Sequence, residues 1–286
     1  AADVIAQVRP RVVVQVASEQ SGAVIAAKGN AWAKLVADGG LSASAVFQTL
    51  LTSRVARGLR LTGLDAHMIN CCYADVVNSI VAAQGLPVTS GIGNVSILSN
   101  AFAGHLGPGG ETLRVLAHYQ TIGAFRRPPE ARDGPMPRVW RGGAEIADVA
   151  AAFRDIQLTP EPVIDISGAS GVPMMVAMAA GVPWRGHAPG PDGLPGGYPV
   201  SFDGTRLDLD LPPGLTKASA IAWNEQFETV NGLVVDGGIA RYTGLLRERL
   251  AAWSPSLAAG FAVGDLEAVY LEMRELRSRL IATPAG

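Results

Sequence analysis

Cysteine and lysine are nearly missing from this chain. Its 286 residues include 2 cysteines, the neighbours Cys71 and Cys72. Adjacent cysteines rarely meet disulfide geometry, so no framework of crosslinks is available and a reducing cytoplasm is the expected location. Lysine occurs only at Lys28, Lys34 and Lys217; with plentiful arginine, alanine and glycine this bias suits a GC-rich bacterial genome. Charge is sparse: charged residues make up 17% and the formal net charge is −2. That balance removes the electrostatic reason to expect nucleic acid or an anionic membrane as partner. No apolar run reaches the roughly 18–20 residues that span a bilayer, and the opening residues lack a signal-peptide pattern. There is no Gly-x-Ser-x-Gly elbow, no Walker loop, and no His/Cys/Asp/Glu group with metal-ligand spacing.

Hydrophobic residues make up 48% of the chain, enough to bury a large core in one big domain or two ordinary ones. A short helix over Ala2–Val8 stops at Arg9-Pro10, since proline disfavours helical geometry in the residue before it. The β-branched run Val12–Ala17 predicts a strand buried on both faces. A loop over Ser18–Gly29 leaves its carboxyl end. Helical spacing follows over Trp32–Ala37 and Ser44–Leu59, then a strand at His67–Cys71, a helix over Asp75–Ala83 and a strand at Pro87–Ile92. Asn94 opens a further helix that ends near Gly107. This alternation predicts a parallel sheet with helices on both faces.

Beyond about residue 110 the texture changes. Strands are expected at Thr112–His118 and Arg138–Arg141, around the Pro/Arg-rich stretch Arg126–Pro137. Helices are expected near Ala144–Ile156 and Gly168–Ala180, then a Gly/Pro loop over Gly186–Gly197. A hairpin turning at Asp203-Gly204 follows, and amphipathic helices near Lys217–Glu228, Tyr242–Ala252 and Asp265–Leu280 close the chain. The domain boundary is placed between residues 109 and 110.

Short motifs then fall in a recognisable order. Asn70-Cys-Cys-Tyr-Ala-Asp75-Val-Val-Asn78, Gln84-Gly-Leu-Pro87 and Gly91-Ile-Gly-Asn94 come first. Val115-Leu-Ala-His118, Pro137-Arg-Val-Trp140 and Ser167-Gly-Ala-Ser170 follow. Together they resemble the lactate/malate dehydrogenase superfamily, in which a strand ends in asparagine beside a nicotinamide and a later strand carries the catalytic histidine. The resemblance implies an α/β fold: a Rossmann-like parallel sheet followed by an α+β substrate domain. It implies NAD or NADP as cofactor, a small-molecule substrate and alcohol–carbonyl interconversion; a homo-oligomer is the expected assembly. Two departures are visible. The Gly-x-Gly-x-x-Gly fingerprint does not occur, so the amino-terminal part of the dinucleotide fold is expected to lie outside this sequence. Where the family carries an aspartate to orient the histidine and an arginine to clamp a carboxylate stand Ser96 and Ser99. That substitution predicts poor turnover of pyruvate and oxaloacetate.

On this reading His118 moves the proton, because an imidazole titrates near neutrality; the alternative is a strand-end histidine satisfied by backbone. Asn70 holds the nicotinamide side, or ends its strand through a side-chain turn. Ala17 and Ser18 lie beneath the dinucleotide, and Gly91, Gly93 and Asn94 line the same crevice or make a tight turn. Ser96, Ser99 and Ser170 line a neutral substrate pocket, Ser170 otherwise capping a helix. Arg126 and Arg127 replace the lost anion clamp, or form a solvated loop pair. His187 is the runner-up acid–base group. Asp75 and Glu111 read as solvated carboxylates. Two rivals stand beside this reading: an NAD-dependent glycosidase of related fold, and a degenerate dehydrogenase kept as a binding or scaffold subunit.

Overall fold

The computed structural model describes residues 1–20, 28–107, 112–159 and 163–285. Most of the loop expected over Ser18–Gly29, and Glu111, lie outside them. The first part of the chain runs α1 (Ala2–Val8), β1 (Val12–Gln15), α2 (Ala31–Gly39), α3 (Ala45–Thr62), β2 (His67–Asn70), α4 (Ala74–Ala83), β3 (Ser90–Gly91) and α5 (Val95–Leu106). β1, β2 and β3 form one parallel sheet in that order, with Val13 opposite Met68 and Asn70 opposite Gly91. The chain is thus α/β, as the alternation of elements requires. The expected burial of β1 on both faces is not met. β1 lies at the edge of the sheet, and Val14 and Val16 are 42% and 71% exposed.

The remainder runs β4 (Leu113–Leu116), α6 (Tyr119–Ile122), β5 (Arg138–Arg141), β6 (Ala144–Glu145), α7 (Val149–Ala152) and α8 (Ile164–Ala180). It continues with β7 (Trp184–Pro189), β8 (Gly197–Phe202), β9 (Leu207–Leu209), α9 (Lys217–Glu225), α10 (Glu228–Asn231), β10 (Leu233–Asp236) and β11 (Ile239–Tyr242). α11 (Gly244–Ala251), α12 (Pro255–Ala258), β12 (Phe261–Ala262) and α13 (Leu266–Ile281) complete it. Its strands form three antiparallel three-stranded sheets, β4–β5–β6, β7–β8–β9 and β10–β11–β12. Of the Gly/Pro loop expected over Gly186–Gly197, the residues from Gly190 to Gly196 lie outside any strand, while Gly186–Pro189 and Gly197 are strand because β7 and β8 pair there, from His187–Pro199 to Pro189–Gly197. The helix expected over Ala144–Ile156 shrinks to the four residues of α7, β6 taking its first residues into a sheet.

The largest core spans the boundary expected at 109/110. Trp32, Phe47 and Ile80 pack with Leu246, Leu257, Tyr270 and Met273, so α13 closes over α2 and α3. A second core sets Ile69 and Ile92 of the parallel sheet against Met174 and Met178 of α8 and Tyr198 of β8. The second core brings the carboxyl ends of β2 and β3 against the antiparallel part. No described helix is long and apolar enough to cross a membrane.

Candidate functional site

β2 ends on Asn70, fully buried, and its amide is saturated. Nδ2 donates to Cys72 O and to Asn78 Oδ1, both at 2.9 Å. Oδ1 accepts from Cys72 N at 2.9 Å and from the Thr52 hydroxyl at 3.2 Å. Two donors and two acceptor positions are all an asparagine amide has. Asn70 therefore ends its strand through a local turn and offers nothing to a nicotinamide. Ala17 is in the same state. Its N–H donates to Gln15 Oε1 and its carbonyl accepts from Gln15 Nε2, while Ser18 Oγ donates to Gln20 O.

The glycines after β3 are filled by protein. A Cβ on Gly91 would overlap the Cβ of Ala74 and press on Pro189, and one on Gly93 would overlap Ser167 Oγ. Gly93 also has φ +84°, which an L side chain rarely adopts. These glycines serve close approach of α4, α8 and β7 rather than a ligand. Gly91→Ala should lower stability by about 1–3 kcal/mol through overpacking, read from urea midpoints. A neutral result would show that Ala74 can move aside.

Asp75, in the first turn of α4, is wholly buried and not the solvated carboxylate expected. Oδ2 accepts from Asn94 Nδ2 at 2.8 Å, while Oδ1 has no hydrogen-bond partner. Burial raises its pKa; nearby His118 and the Asn94 amide oppose the rise. Asn94 adopts φ 46°, ψ −111°, so the tip of β3 is bent to reach this carboxylate. Asp75 thereby ties the tip of β3 to the start of α4 and lies close enough to His118 to feel its charge.

His118 caps α6, and its ring is completely buried. Nδ1 accepts from Gln120 N at 3.1 Å, and since a backbone N–H can only donate, the proton of the neutral ring sits on Nε2. Nε2 lies 2.7 Å from Glu228 Oε1. The ring also stacks on Phe227, with centroids 5.4 Å apart. His118 keeps no lone pair for a substrate, which corrects its assignment as the group that meets substrate. Glu228 is the member of the pair that reaches solvent, its side chain 10% exposed against 0% for His118. Burial raises the pKa of Glu228, and the hydrogen bond and proximity of His118 draw it back.

Glu228 is the carboxyl partner that Ser96 cannot be, and it comes from 110 residues downstream of His118. The helix expected to run from Lys217 to Glu228 breaks between α9 and α10, which turns Glu228 inward. Four polar side chains fix α10 there. Ser42 Oγ donates to Asn231 O at 2.6 Å, Asn231 Nδ2 donates to the Tyr73 hydroxyl at 3.0 Å, and Gln120 Nε2 donates to Asn231 Oδ1 at 2.9 Å. Tyr73, Gln120, Glu228 and Asn231 carry no local sequence signal, because their meaning lies in contacts between distant segments.

The serines assigned to a pocket are otherwise engaged. Ser96 Oγ donates to His187 O at 2.7 Å and Ser99 Oγ to Ser96 O at 3.1 Å, both residues being buried. Ser170 neither caps nor opens a helix, since α8 begins at Ile164; its hydroxyl accepts from Gly93 N at 3.2 Å. The arginine pair is split. Arg127 is bound to Asp133, whereas Arg126 borders a cavity of about 180 Å³ lined with Ile97, Leu158, Val163 and Ile166. Arg126 also donates to Thr159 O at 2.7 Å.

His187 is excluded from acid–base work. Its Nε2 accepts from Val115 N at 2.9 Å, and burial pushes its pKa down to about 3. Its folded value lies below the usual histidine range, so its contribution to stability is full above about pH 6.5 and is lost as pH falls towards about 3. The His187 ring resonances should stay flat from about pH 5 to 8 in an NMR titration, and a midpoint in that window would contradict this placement. The thiols of Cys71 and Cys72 are pushed up to about 11 by burial, which leaves them unreactive. Among the described residues no three His, Cys, Asp or Glu side chains gather to hold a metal ion.

Set against family models, curated proteins and solved structures, the chain has no significant match in any of the three comparisons.

Proposed function

We propose that this chain is a lactate/malate-dehydrogenase-like oxidoreductase that interconverts an alcohol and a carbonyl on a small molecule. The proton is exchanged at Glu228, whose carboxyl is positioned by a hydrogen bond from the Nε2–H of His118. The observation that carries this reading is the Glu228–His118 pair at 2.7 Å, beside Asp75 at the carboxyl ends of β2 and β3. Ligands of open α/β sheets bind outside those ends. Burying two carboxylates and an imidazole together costs several kcal/mol in desolvation, and perturbed groups of this kind cluster where protons are moved. A carboxyl group with a raised pKa suits a general acid that works near neutral pH.

The reaction also needs a hydride partner, for which NAD or NADP is the expectation. The residues nominated to hold it do not fit, since Asn70 is saturated and Gly91 and Gly93 are filled by Ala74 and Ser167. The residues of this chain thus account for the proton.

The same saturation favours a second reading, a dehydrogenase-like fold kept for binding alone. Titration with NADH and NADPH, followed through tryptophan fluorescence, separates the two. Saturable quenching together with turnover of an alcohol or ketone supports the enzyme. Absence of both removes it and leaves the binding reading.

A further inference from the structure

Three buried side chains beside the His118–Glu228 pair carry polar atoms that lack a partner. These atoms are Asp75 Oδ1, the Tyr198 hydroxyl, and both Oδ1 and Nδ2 of Asn224. Asp75, Tyr198 and Asn224 are each fully enclosed. Chain geometry gathers them. Ala117 and Gly197 exchange backbone hydrogen bonds at 3.1 and 2.8 Å, which sets Gly196 and Tyr198 alongside the strand end that leads into His118. A Cβ on Gly196 would overlap the Asn224 amide, and Gly196 has φ +68°, so glycine is what admits Asn224 there. Glu228 follows Asn224 by four residues, about one helical turn.

Burial pushes up the pKa of the Tyr198 phenol, the Asn224 amide draws it back, and Glu225, Glu228 and Asp75 raise it further. The phenol thus lies beside Asn224 and within electrostatic reach of both buried carboxylates, yet no direct hydrogen bond joins it to the amide. A buried polar group left unpaired costs its full desolvation penalty. Several together suit a small ligand that both donates and accepts. The charges call for a proton as well. His118, Glu225, Tyr73, Tyr119 and Tyr198 are the titratable groups that face Asp75 and Glu228, and none is a lysine or arginine. Two buried carboxylates near each other without a cation do not both ionise freely, so one keeps its proton. His118 donates to Glu228 and favours its anion, which leaves the proton to Asp75 Oδ1.

We propose that Asp75 and Glu228 share one proton through a buried water held by Tyr198 and Asn224. Full enclosure of the three side chains suits water rather than a larger ligand, and water meets the mixed demand of phenol, amide and carboxyl. At rest the proton sits on Asp75 Oδ1 and Glu228 is the anion. When a substrate oxygen is to be protonated, Asp75 Oδ1 gives its proton to the water as the water gives one to Glu228, which passes it on. The water is regenerated and Asp75 is left as the carboxylate; the reverse direction returns the proton. This use in turnover rests on the reading that Glu228 exchanges the substrate's proton, whereas the shared proton itself does not. Tyr198 and Asn224 are positioning residues in this arrangement.

The test uses the full chain in crystallography and infrared spectroscopy. A crystal structure should show a water within about 3.2 Å of the Tyr198 hydroxyl and of the Asn224 amide. At about pH 8, well above the ordinary carboxylate range, the wild type should show the infrared band of a protonated carboxyl, and Asp75→Asn should remove it. Tyr198→Phe deletes one oxygen and should fold as the wild type does. It should shift that band and slow turnover at least about tenfold with KM unchanged. If Asp75→Asn does not fold, the shift in Tyr198→Phe decides alone. A dry site, a wild type without a protonated carboxyl, a band indifferent to Asp75→Asn or Tyr198→Phe, or full turnover in Tyr198→Phe would each overturn the proposal. A wild type that keeps the water and the band but turns over no alcohol or ketone would end the oxidoreductase assignment and leave the shared proton standing.

Discussion

His118→Ala should destabilise the protein by about 3–5 kcal/mol at pH 8, the cost of leaving a buried charge without its partner. His118 is completely enclosed, donates to Glu228 at 2.7 Å and stacks on Phe227, so alanine removes a charge partner and leaves a hole. The penalty should depend on pH in a set direction. The folded pKa of Glu228 is raised by burial, so its contribution to stability is full below the ordinary glutamate value, near 4.3, and is lost as pH rises through the folded value. Taking away His118, which draws that pKa down, pushes it higher and widens the loss at alkaline pH. Urea unfolding at two pH values reads this. The cost should shrink as pH is lowered towards about 4.5, because the raised pKa favours the neutral carboxyl as pH falls. An equal cost at both values would mean that Glu228 carries no charge in the folded protein.

Glu228→Gln should have the opposite character, with stability kept and chemistry lost. The amide oxygen still accepts the Nε2–H proton of His118, and no ion is buried, so stability at pH 8 should match or exceed that of the wild type by about 1 kcal/mol. An amide cannot exchange a proton near neutrality, so turnover of any alcohol or ketone the wild type accepts should fall by about 10²–10⁴. An ion pair serving the fold alone would leave turnover intact. Full activity in Glu228→Gln would therefore end the assignment of Glu228, while loss of folding in both variants would leave His118→Gln, scored by its pH profile, to make the distinction.

Much of the first half was legible because its signals are local. The β-branched run at Val12 and the apolar face of Val46, Leu50 and Leu59 state strand and helix directly, and the parallel sheet follows from their alternation. The partial failures have physical causes. β7 and β10 were invisible because glycine and proline punctuate their surroundings, and a ladder partner overrides that local preference. β6 took residues from an expected helix for the same reason. The exposure of Val14 follows from β1's position at the edge of the sheet, which composition does not encode.

At the site the division is sharper. Residue order placed Asn70 and Asn94 near one another, since they end or follow neighbouring strands of the parallel sheet, whereas His118 follows β4 of a separate antiparallel sheet and is brought near Asp75 only by the tertiary fold. What those side chains do was decided by neighbours far along the chain. Asn70 is filled by Thr52 and Asn78, Asn94 is bent onto Asp75, and His118 is bonded by Glu228 after α9 and α10 part. Periodicity and turn chemistry act over a few residues and so can be read in a line. A hydrogen-bonding group has only a few places to fill, and which partner fills them depends on distances that exist only once the chain has closed upon itself.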